Sequence, residues 1–456
     1  MQSNAELSRE TPPSSFARFQ AFLRSVFDQA VVLSYNRPLL EEIIVLFLFI
    51  MFPIAYLESL RWPFPGPRAT HGILKGMFLL LAGTLLIFHK RLRPQQHSVQ
   101  NVLMLLFVLS YTVSAAGSYA LESAVLHLWY PFMAFCMLYA FSKIKLAHSY
   151  IPILIIFSAV LVFITFSFSF FSLMFRYSVD NIYYFMFLDH RANHLLDELR
   201  QYGKYVSLGP YLMLAPISYI FLFQKSATVF RKGLSLFLLI ITLLTAVISN
   251  NRIDALVFGI QFVLLLFIFP RRLAIILLGL MIPIVLFGLS VTEKYFGFNL
   301  EERILRPKVE RDLETIDIRF TYWETAFYNF RNAPLFGTGP NSYNEVSVFP
   351  IRRYYDPNMG DYLWKLDEGI GVHNIFIERL SDTGIFGFTI FIALLFLFFR
   401  KDTMYLLQDH SAEKKKLYIL FALGSWSWIL YGITDNGYGA QGYVTFFFLR
   451  GVINHL

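Results

Sequence analysis

A series of apolar runs, each long enough to cross a lipid bilayer, most constrains what this chain can fold into. A spanning helix needs roughly 17 to 25 mostly apolar residues, and about twelve runs meet that length. Because 56% of the residues are hydrophobic and only 15% are charged, an ordinary soluble domain is excluded. The sequence therefore predicts an all-α polytopic membrane protein. The runs lie near 39–58, 72–88, 101–118, 124–142, 150–175, 205–223, 233–249, 253–270, 273–291, 375–399, 417–434 and 437–453.

Basic residues cluster at every second connection between these runs. Cytoplasmic loops of membrane proteins are enriched in Lys and Arg, so the alternation predicts that both termini are cytoplasmic. The net charge of +8 is then explained by topology, and we expect the phospholipid bilayer as a partner and no nucleic acid. The clusters are Lys90, Arg91 and Arg93; Lys143 and Lys145; Lys225, Arg231 and Lys232; Arg271 and Arg272; and Arg400, Lys401 and Lys414 to Lys416.

The N-terminal residues 1–36 are predicted to form a cytoplasmic tail, since they lack the pattern of a cleaved signal peptide. From Phe16 onward, apolar side chains recur at helical spacing, which favours a helix lying on the inner leaflet. A disordered tail with a fortuitous stripe is the alternative. Residues 37–291 then hold transmembrane helices 1–9, and residues 374–456 hold helices 10–12.

Two connections on the predicted outer face are long, residues 176–204 and residues 292–373. Within the second, DIRFTYWETAFYNFRNAP has helical spacing of its apolar residues, and Ala333-Pro334 ends that helix. The glycine-rich FGTGPNSY that follows is typical of a turn. The sequence therefore predicts a helical extracytoplasmic subdomain at 292–373, between transmembrane helices 9 and 10.

Arg252 lies in the short turn ISNNRIDAL between the seventh and eighth predicted spans. The alternation puts this turn outside, where the positive-inside rule disfavours cations. One interpretation is an interfacial arginine whose side chain extends to the lipid head groups. The other is an anion site, because a guanidinium beside the first turn of a helix suits a diphosphate.

Four segments, taken in order, resemble the O-antigen ligase and Wzy-type polymerase superfamily of membrane glycosyltransferases. They are the turn SNNRIDAL, the helix RFTYW, the turn PLFGTGPNSY, and HNIFIERLSDTGIFG beginning at His373. The resemblance covers roughly residues 205–400. One departure is Asn-Asn-Arg at the first turn, where Ser-Arg is commoner.

The resemblance implies transfer of a glycan from undecaprenyl diphosphate to an acceptor sugar hydroxyl outside the cytoplasmic membrane, without metal or other cofactor. Arg252 and Arg319 would bind the diphosphate, because a planar guanidinium pairs bidentately with phosphate oxygens. His373, just before a helix, would act as the base that activates the acceptor. The alternative is a histidine that lies at the membrane interface and takes no part in catalysis. The acceptor is lipid A-core for a ligase or the growing polysaccharide for a polymerase, and we favour the ligase.

Other polar residues are predicted to assist or to be structural. Possible donor or acceptor contacts are Arg191, Arg200, Trp323, Asn341 and Asn374. Arg379 and Asp382 are expected to form a structural i, i+3 ion pair. In the 176–204 loop, Asp189, His190, His194 and Asp197 have a spacing that metal ligands can adopt, but it implies no ligand geometry, so we predict no metal site.

Twelve spans with both termini inside is also a common transporter plan, so a lipid-linked oligosaccharide flippase or other transporter is a further alternative. Such proteins typically show two similar halves, and this sequence shows no convincing repeat. Its charges lie at the outer boundary and not near the midplane. These features favour the enzyme.

Overall fold

A computed structural model describes residues 98–118, 120–143, 154–167, 209–224, 227–248, 252–269, 271–272, 274–279, 283, 309–343, 371–433 and 439–454. Within these ranges every regular element is a helix, and no strand occurs. The predictions for the N-terminal tail, the first two spans and the 176–204 loop lie outside the described residues. The helical class predicted from the apolar runs is confirmed for the part that is described.

Eleven α-helices are labelled here in chain order. Their bounds are α1 Ser98–Ala116, α2 Leu121–His127, α3 Trp129–Lys143, α4 Leu154–Ser167, α5 Gly209–Ser218, α6 Val229–Ile248, α7 Arg252–Ile268, α8 Val309–Asn332, α9 Ile375–Leu407, α10 Ala412–Gly432 and α11 Gly439–Ile453. A short 3₁₀ turn, Ile220–Leu222, follows α5.

Three of these helices, α1, α6 and α9, are long and apolar enough to cross a membrane by length and composition. Four described apolar segments are shorter, at Leu154–Ser167, Leu212–Leu222, Leu256–Ile268 and Gly442–Ile453. Long apolar side chains on α1 and α7, such as Leu105 and Phe267, point outward and are exposed, as expected of lipid-facing surfaces. The count of about twelve spans stays a prediction.

The predicted span at 124–142 is two helices, with a break at Leu128 between α2 and α3. Pro131 accounts for the break. A proline has no backbone N–H, and its ring clashes with the carbonyl four residues earlier, which here belongs to His127, the last residue of α2. Apolar length alone could not show this interruption.

The helices pack into one bundle in which α11 lies against α3 and α10, α10 against α5, and α1 against α9. Glycines allow close approach at two of these contacts. A Cβ at Gly424 would lie 2.1 Å from the Met213 carbonyl oxygen, and one at Gly451 would lie 2.6 Å from Phe141 Cβ. Small residues at helix contacts are typical of membrane bundles. Helix α8, from the predicted outer loop, packs against the first turns of α9.

Candidate active site

Helix α8 and the start of α9 run side by side in the same direction. The Tyr322 ring of α8 stacks on His373, which precedes α9, with ring centroids 5.8 Å apart. One turn further along, Ala326 and Ile377 pack in the same small core. Beyond the end of α8, the Pro334 carbonyl accepts a hydrogen bond from the Ile385 amide. The helix predicted from DIRFTYWETAFYNFRNAP and its end before Pro334 are confirmed.

A kink in α9 is held by the glycine-rich turn after α8. Gly384 has φ of 63°, so the helix is interrupted there, and the carbonyls of Ser381 and Asp382 lose their helical partners. The amides of Thr338 and Gly339 donate to these two carbonyls, each at 3.0 Å. In return, the freed amides of residues 385 and 386 donate to the carbonyls of residues 334 and 335, at 2.9 and 3.2 Å. Four backbone groups that the kink exposes are thus satisfied by the turn.

Glycine is required on both sides of this junction. A Cβ at Gly337 would lie 2.3 Å from the Asp382 backbone, and one at Gly384 would lie 2.5 Å from the Leu335 backbone. Both positions also have positive φ, which side chains disfavour. The spacing of glycines in PLFGTG and DTGIFG therefore reflects one contact between two distant segments.

Replacing Gly384 by alanine is expected to lower the thermal stability of the purified protein by several degrees. The strained backbone alone costs about 1–3 kcal/mol, and the overlap with Leu335 adds to it. Gly259→Ala is the matched control, because no atom lies within 4 Å of that Cβ and alanine favours the interior of α7. Equal melting of the Gly384 variant and wild type in detergent would contradict this account of the kink.

An ionic cluster lies one to two turns into α9. Arg379 contacts Asp382 at 3.4 Å, which confirms the predicted i, i+3 pair, and it also contacts Glu378 at 3.2 Å. Its guanidinium lies over the rings of Tyr111 and Tyr443, at 5.5 and 5.3 Å from their centroids. The cation is thus fixed between α1, α9 and α11 by two carboxyl groups and two aromatic rings.

Two of the three residues predicted to act in transfer adjoin Tyr322. Arg319 is half-buried on α8, and lies one helical turn before Tyr322, the residue that stacks on His373. Arg252 is the first residue of α7, as its sequence context predicts. Helix α7 packs against α5, α6 and α10. The grouping of Arg252 with Arg319 and His373 therefore stays a prediction.

His373 has φ of 54°, a left-handed conformation that is uncommon outside glycine. Asn374 follows it as the N-cap of α9, and its side-chain oxygen accepts hydrogen bonds from the amides of Phe376 and Ile377. The Asn374 amide group donates to the Ile433 carbonyl at 2.8 Å. These bonds fix the position of His373 just before the start of α9. A substrate contact by Asn374 stays a prediction.

The other predicted contacts have different positions. Trp323 is half-buried on α8 with its ring edge against Phe320, whereas Asn341 is exposed in the glycine-rich turn with φ of 57°. The Asn341 backbone hydrogen-bonds the Asp382 carboxylate. Arg191 and Arg200 lie outside the described residues, as does the polar cluster at 189–197. Among the residues described, no group of three or more His, Cys, Asp or Glu could hold a metal ion.

Two tyrosines beside this site remain neutral at physiological pH. Burial raises the pKa of Tyr322 to about 12 and raises the pKa of Tyr343 further above its ordinary value. The Tyr343 hydroxyl donates to the Tyr322 carbonyl at 3.2 Å. Neither phenol is therefore poised to accept a proton, and His373 is the better candidate base of these neighbours.

Several buried polar atoms on α8 and the first turns of α9 have no hydrogen-bond partner. Leaving such an atom unpaired costs about 1–3 kcal/mol, so a polar molecule or water is expected to offset part of it. Sequence reasoning missed Asn329 and Ser381, although Asn329 shares the buried face of α8 with Tyr322 at i, i+7. The atoms are Trp323 Nε1, Asn329 Nδ2 and Oδ1, Glu378 Oε2, Arg379 Nε, Ser381 Oγ and Asp382 Oδ1.

The fold and this region together define a helical membrane protein with a polar site at one end of its longest described helix. Residues 237–392 match the family described as O-antigen ligase. This confirms the resemblance carried by the four sequence segments. The match spans about a third of the chain, and includes Arg252, Arg319 and His373. No curated protein sequence matches the chain significantly.

Proposed function

We propose that this protein is a metal-independent membrane glycosyltransferase of the O-antigen ligase type. It would move a glycan from undecaprenyl diphosphate to an acceptor sugar hydroxyl on the outer face of the cytoplasmic membrane. The observation that carries the proposal is the stack of Tyr322 on His373, one helical turn from Arg319, inside the segment that matches the family. An anion-binding group and a proton acceptor are what this transfer needs.

The chemistry follows from these two groups. The acceptor hydroxyl attacks the anomeric carbon of the donor sugar, and its proton passes to a ring nitrogen of His373. The bond between that carbon and the diphosphate oxygen breaks, and its electron pair leaves with undecaprenyl diphosphate. Negative charge grows on the leaving group, so fixed guanidinium groups at Arg252 and Arg319 stabilise the transition state more than the substrate. The proton on His373 is then released to water.

The unpaired polar atoms of α8 and α9 are proposed to bind the sugars. They mix donors, at Trp323, Asn329 and Arg379, with carboxylate acceptors, at Glu378 and Asp382. Such a mixture suits the hydroxyl groups of a carbohydrate, each of which donates and accepts. It suits a diphosphate poorly, because the cluster holds two carboxylates and only one guanidinium, that of Arg379. We therefore propose that the diphosphate binds toward Arg319 and the sugars toward Asn329.

The ligase is proposed on the general description of the family, which covers the polymerase as well, because both reactions need the same groups. Deleting the gene tests the proposal through surface glycan separated on gels. Loss of polymer from the lipid A-core, with lipid-linked polymer retained in the membrane, is the result expected for a ligase. A core bearing a single repeat unit would indicate the polymerase, and unaltered glycan would contradict both.

The orientation is a proposal that labelling can test. On a background lacking Cys136, cysteines at Ser347 and Asp409 would be treated with an impermeant thiol reagent in intact spheroplasts. The charge pattern predicts labelling at position 347 and protection at 409. Asp409 is a suitable position, because its side chain is exposed in the described turn between α9 and α10. Labelling at 409 alone would reverse the proposed topology.

A further inference from the structure

The opposite end of α9 holds a cavity of about 260 Å³ that the proposed reaction does not use. It lies where α9, α10 and the end of α11 meet. At 1.5 Å per residue, Lys401 is roughly 40 Å along α9 from His373, about the thickness of a membrane. The cavity is therefore separate from the candidate active site. Its lining is Phe398, Lys401, Asp402, Met404, Tyr405, Gln408, Tyr418, Arg450, Ile453 and Asn454.

A rigid polar wall forms one side of this cavity. Asp402 accepts hydrogen bonds from Arg450 Nη1 at 2.7 Å, from the Tyr418 hydroxyl at 2.7 Å and from Trp426 Nε1 at 2.6 Å. The Arg450 guanidinium also lies 4.7 Å from the Trp426 ring centroid. Arg450 is only 1% exposed, so the ion pair is fixed by its surroundings. Its Nε and Nη2 are buried and have no hydrogen-bond partner among the described residues, and an anion in the cavity would supply one.

The charge of the lining is positive. It contains two cations, Lys401 and Arg450, and one carboxylate, Asp402. Lys401 Nζ donates to the side-chain oxygens of Gln100 and Asn454, which hold the ammonium group in place. A buried or half-buried cation of this kind favours an anionic ligand.

The surface next to the cavity is apolar. Met404 and Leu406 are exposed on the last turns of α9, and Leu407 is 81% exposed. These side chains adjoin the lining residues along one helix, so a ligand whose head occupies the cavity could lay acyl chains against them. The cavity is smaller than the roughly 300–1,000 Å³ of sites for drug-sized ligands, and so is suited to a head group.

We infer that this cavity binds the phosphate head group of an anionic phospholipid. The lipid comes from the leaflet at the Lys414–Lys416 end, which the charge pattern predicts to be cytoplasmic. The phosphate oxygens pair with Lys401 and the free donors of Arg450, and the acyl chains lie along the end of α9. This binding site does not depend on the proposed glycan transfer.

Native mass spectrometry of the purified full-length protein tests the inference, with phosphatidylglycerol and phosphatidylcholine added in parallel. Wild-type protein is expected to retain phosphatidylglycerol in preference to phosphatidylcholine. Lys401→Gln should weaken phosphatidylglycerol binding about tenfold, as expected for loss of one charge-assisted hydrogen bond. Lys414→Gln is the matched control, because Lys414 is exposed and does not line the cavity, and it should bind as wild type does.

A second variant keeps the test independent of folding around Lys401. Gln408→Glu adds a negative charge to the lining at an exposed position and should also weaken phosphatidylglycerol binding. Equal retention of the two lipids, or wild-type binding by both variants, would overturn the inference. Inorganic phosphate is tested as a third ligand. Protection from thermal unfolding by phosphate, with none from phosphatidylglycerol, would show a free-anion site and also overturn the lipid assignment.

Discussion

Arg319→Lys is expected to slow glycan transfer while the protein stays folded. The loss of transition-state stabilisation should be about 2–4 kcal/mol. The physical reason is geometric. Lysine keeps the positive charge but loses the planar fork that binds two phosphate oxygens at once. Arg252→Lys should cause a loss of the same order. The measurement is the transfer rate of purified variants in proteoliposomes, together with a thermal melt of each.

Two arginines of the same chain serve as matched controls. Arg331 is exposed in the last turn of α8, on the same helix as Arg319. Arg271 is exposed after the end of α7, the helix that Arg252 begins. Lysine at either position should leave transfer nearly unchanged. If Arg319→Lys and Arg252→Lys both keep the wild-type rate, Arg319 does not bind the diphosphate. Arg252 is then an interfacial side chain.

Replacing the imidazole of His373 is expected to abolish most transfer, while binding of the lipid-linked donor is retained. A base acts on the acceptor hydroxyl and not on the diphosphate, so the loss should be roughly 10²- to 10⁴-fold in rate. Because His373 has positive φ, asparagine is the better replacement than alanine. His373→Asn keeps the backbone conformation available and supplies no base.

Tyr322 provides the control for this variant. Tyr322→Phe retains a ring to stack on His373 and should keep most activity, whereas Tyr322→Ala removes the stacked ring. Donor binding is measured separately, with the lipid-linked glycan and each variant in detergent. Near wild-type transfer by a folded His373→Asn protein would exclude His373 as the base. Loss of donor binding in that variant would instead indicate a structural or diphosphate-binding role.

Local sequence signals predicted much of the candidate site. Helical spacing and Pro334 marked α8, the glycines marked the turn, and the i, i+3 spacing marked the pair of Arg379 and Asp382. Each of these signals acts within a few residues. They are visible in a sequence because the physical causes, such as proline geometry and side-chain neighbours on one helix, are themselves local.

The rest depends on contacts between distant segments. The kink at Gly384 is satisfied by backbone groups about fifty positions earlier, from Pro334 to Gly339, and no periodicity encodes that pairing. Asp402 directly follows two basic residues in the sequence, and its buried pair with Arg450 joins two different helices. In each case the sequence shows the residues but not which segment completes their hydrogen bonds.

The proposed reaction breaks the bond between a glycan and a lipid diphosphate and gives the glycan to an acceptor sugar. The most direct test uses lipid-linked glycan and acceptor glycolipid extracted from a strain lacking the gene, mixed with purified protein in proteoliposomes. The account predicts acceptor that carries the glycan, with one undecaprenyl diphosphate released per transfer, and equal rates with and without a metal chelator. An intact donor in the presence of folded wild-type protein and acceptor, or a donor moved across the bilayer without cleavage, would contradict it.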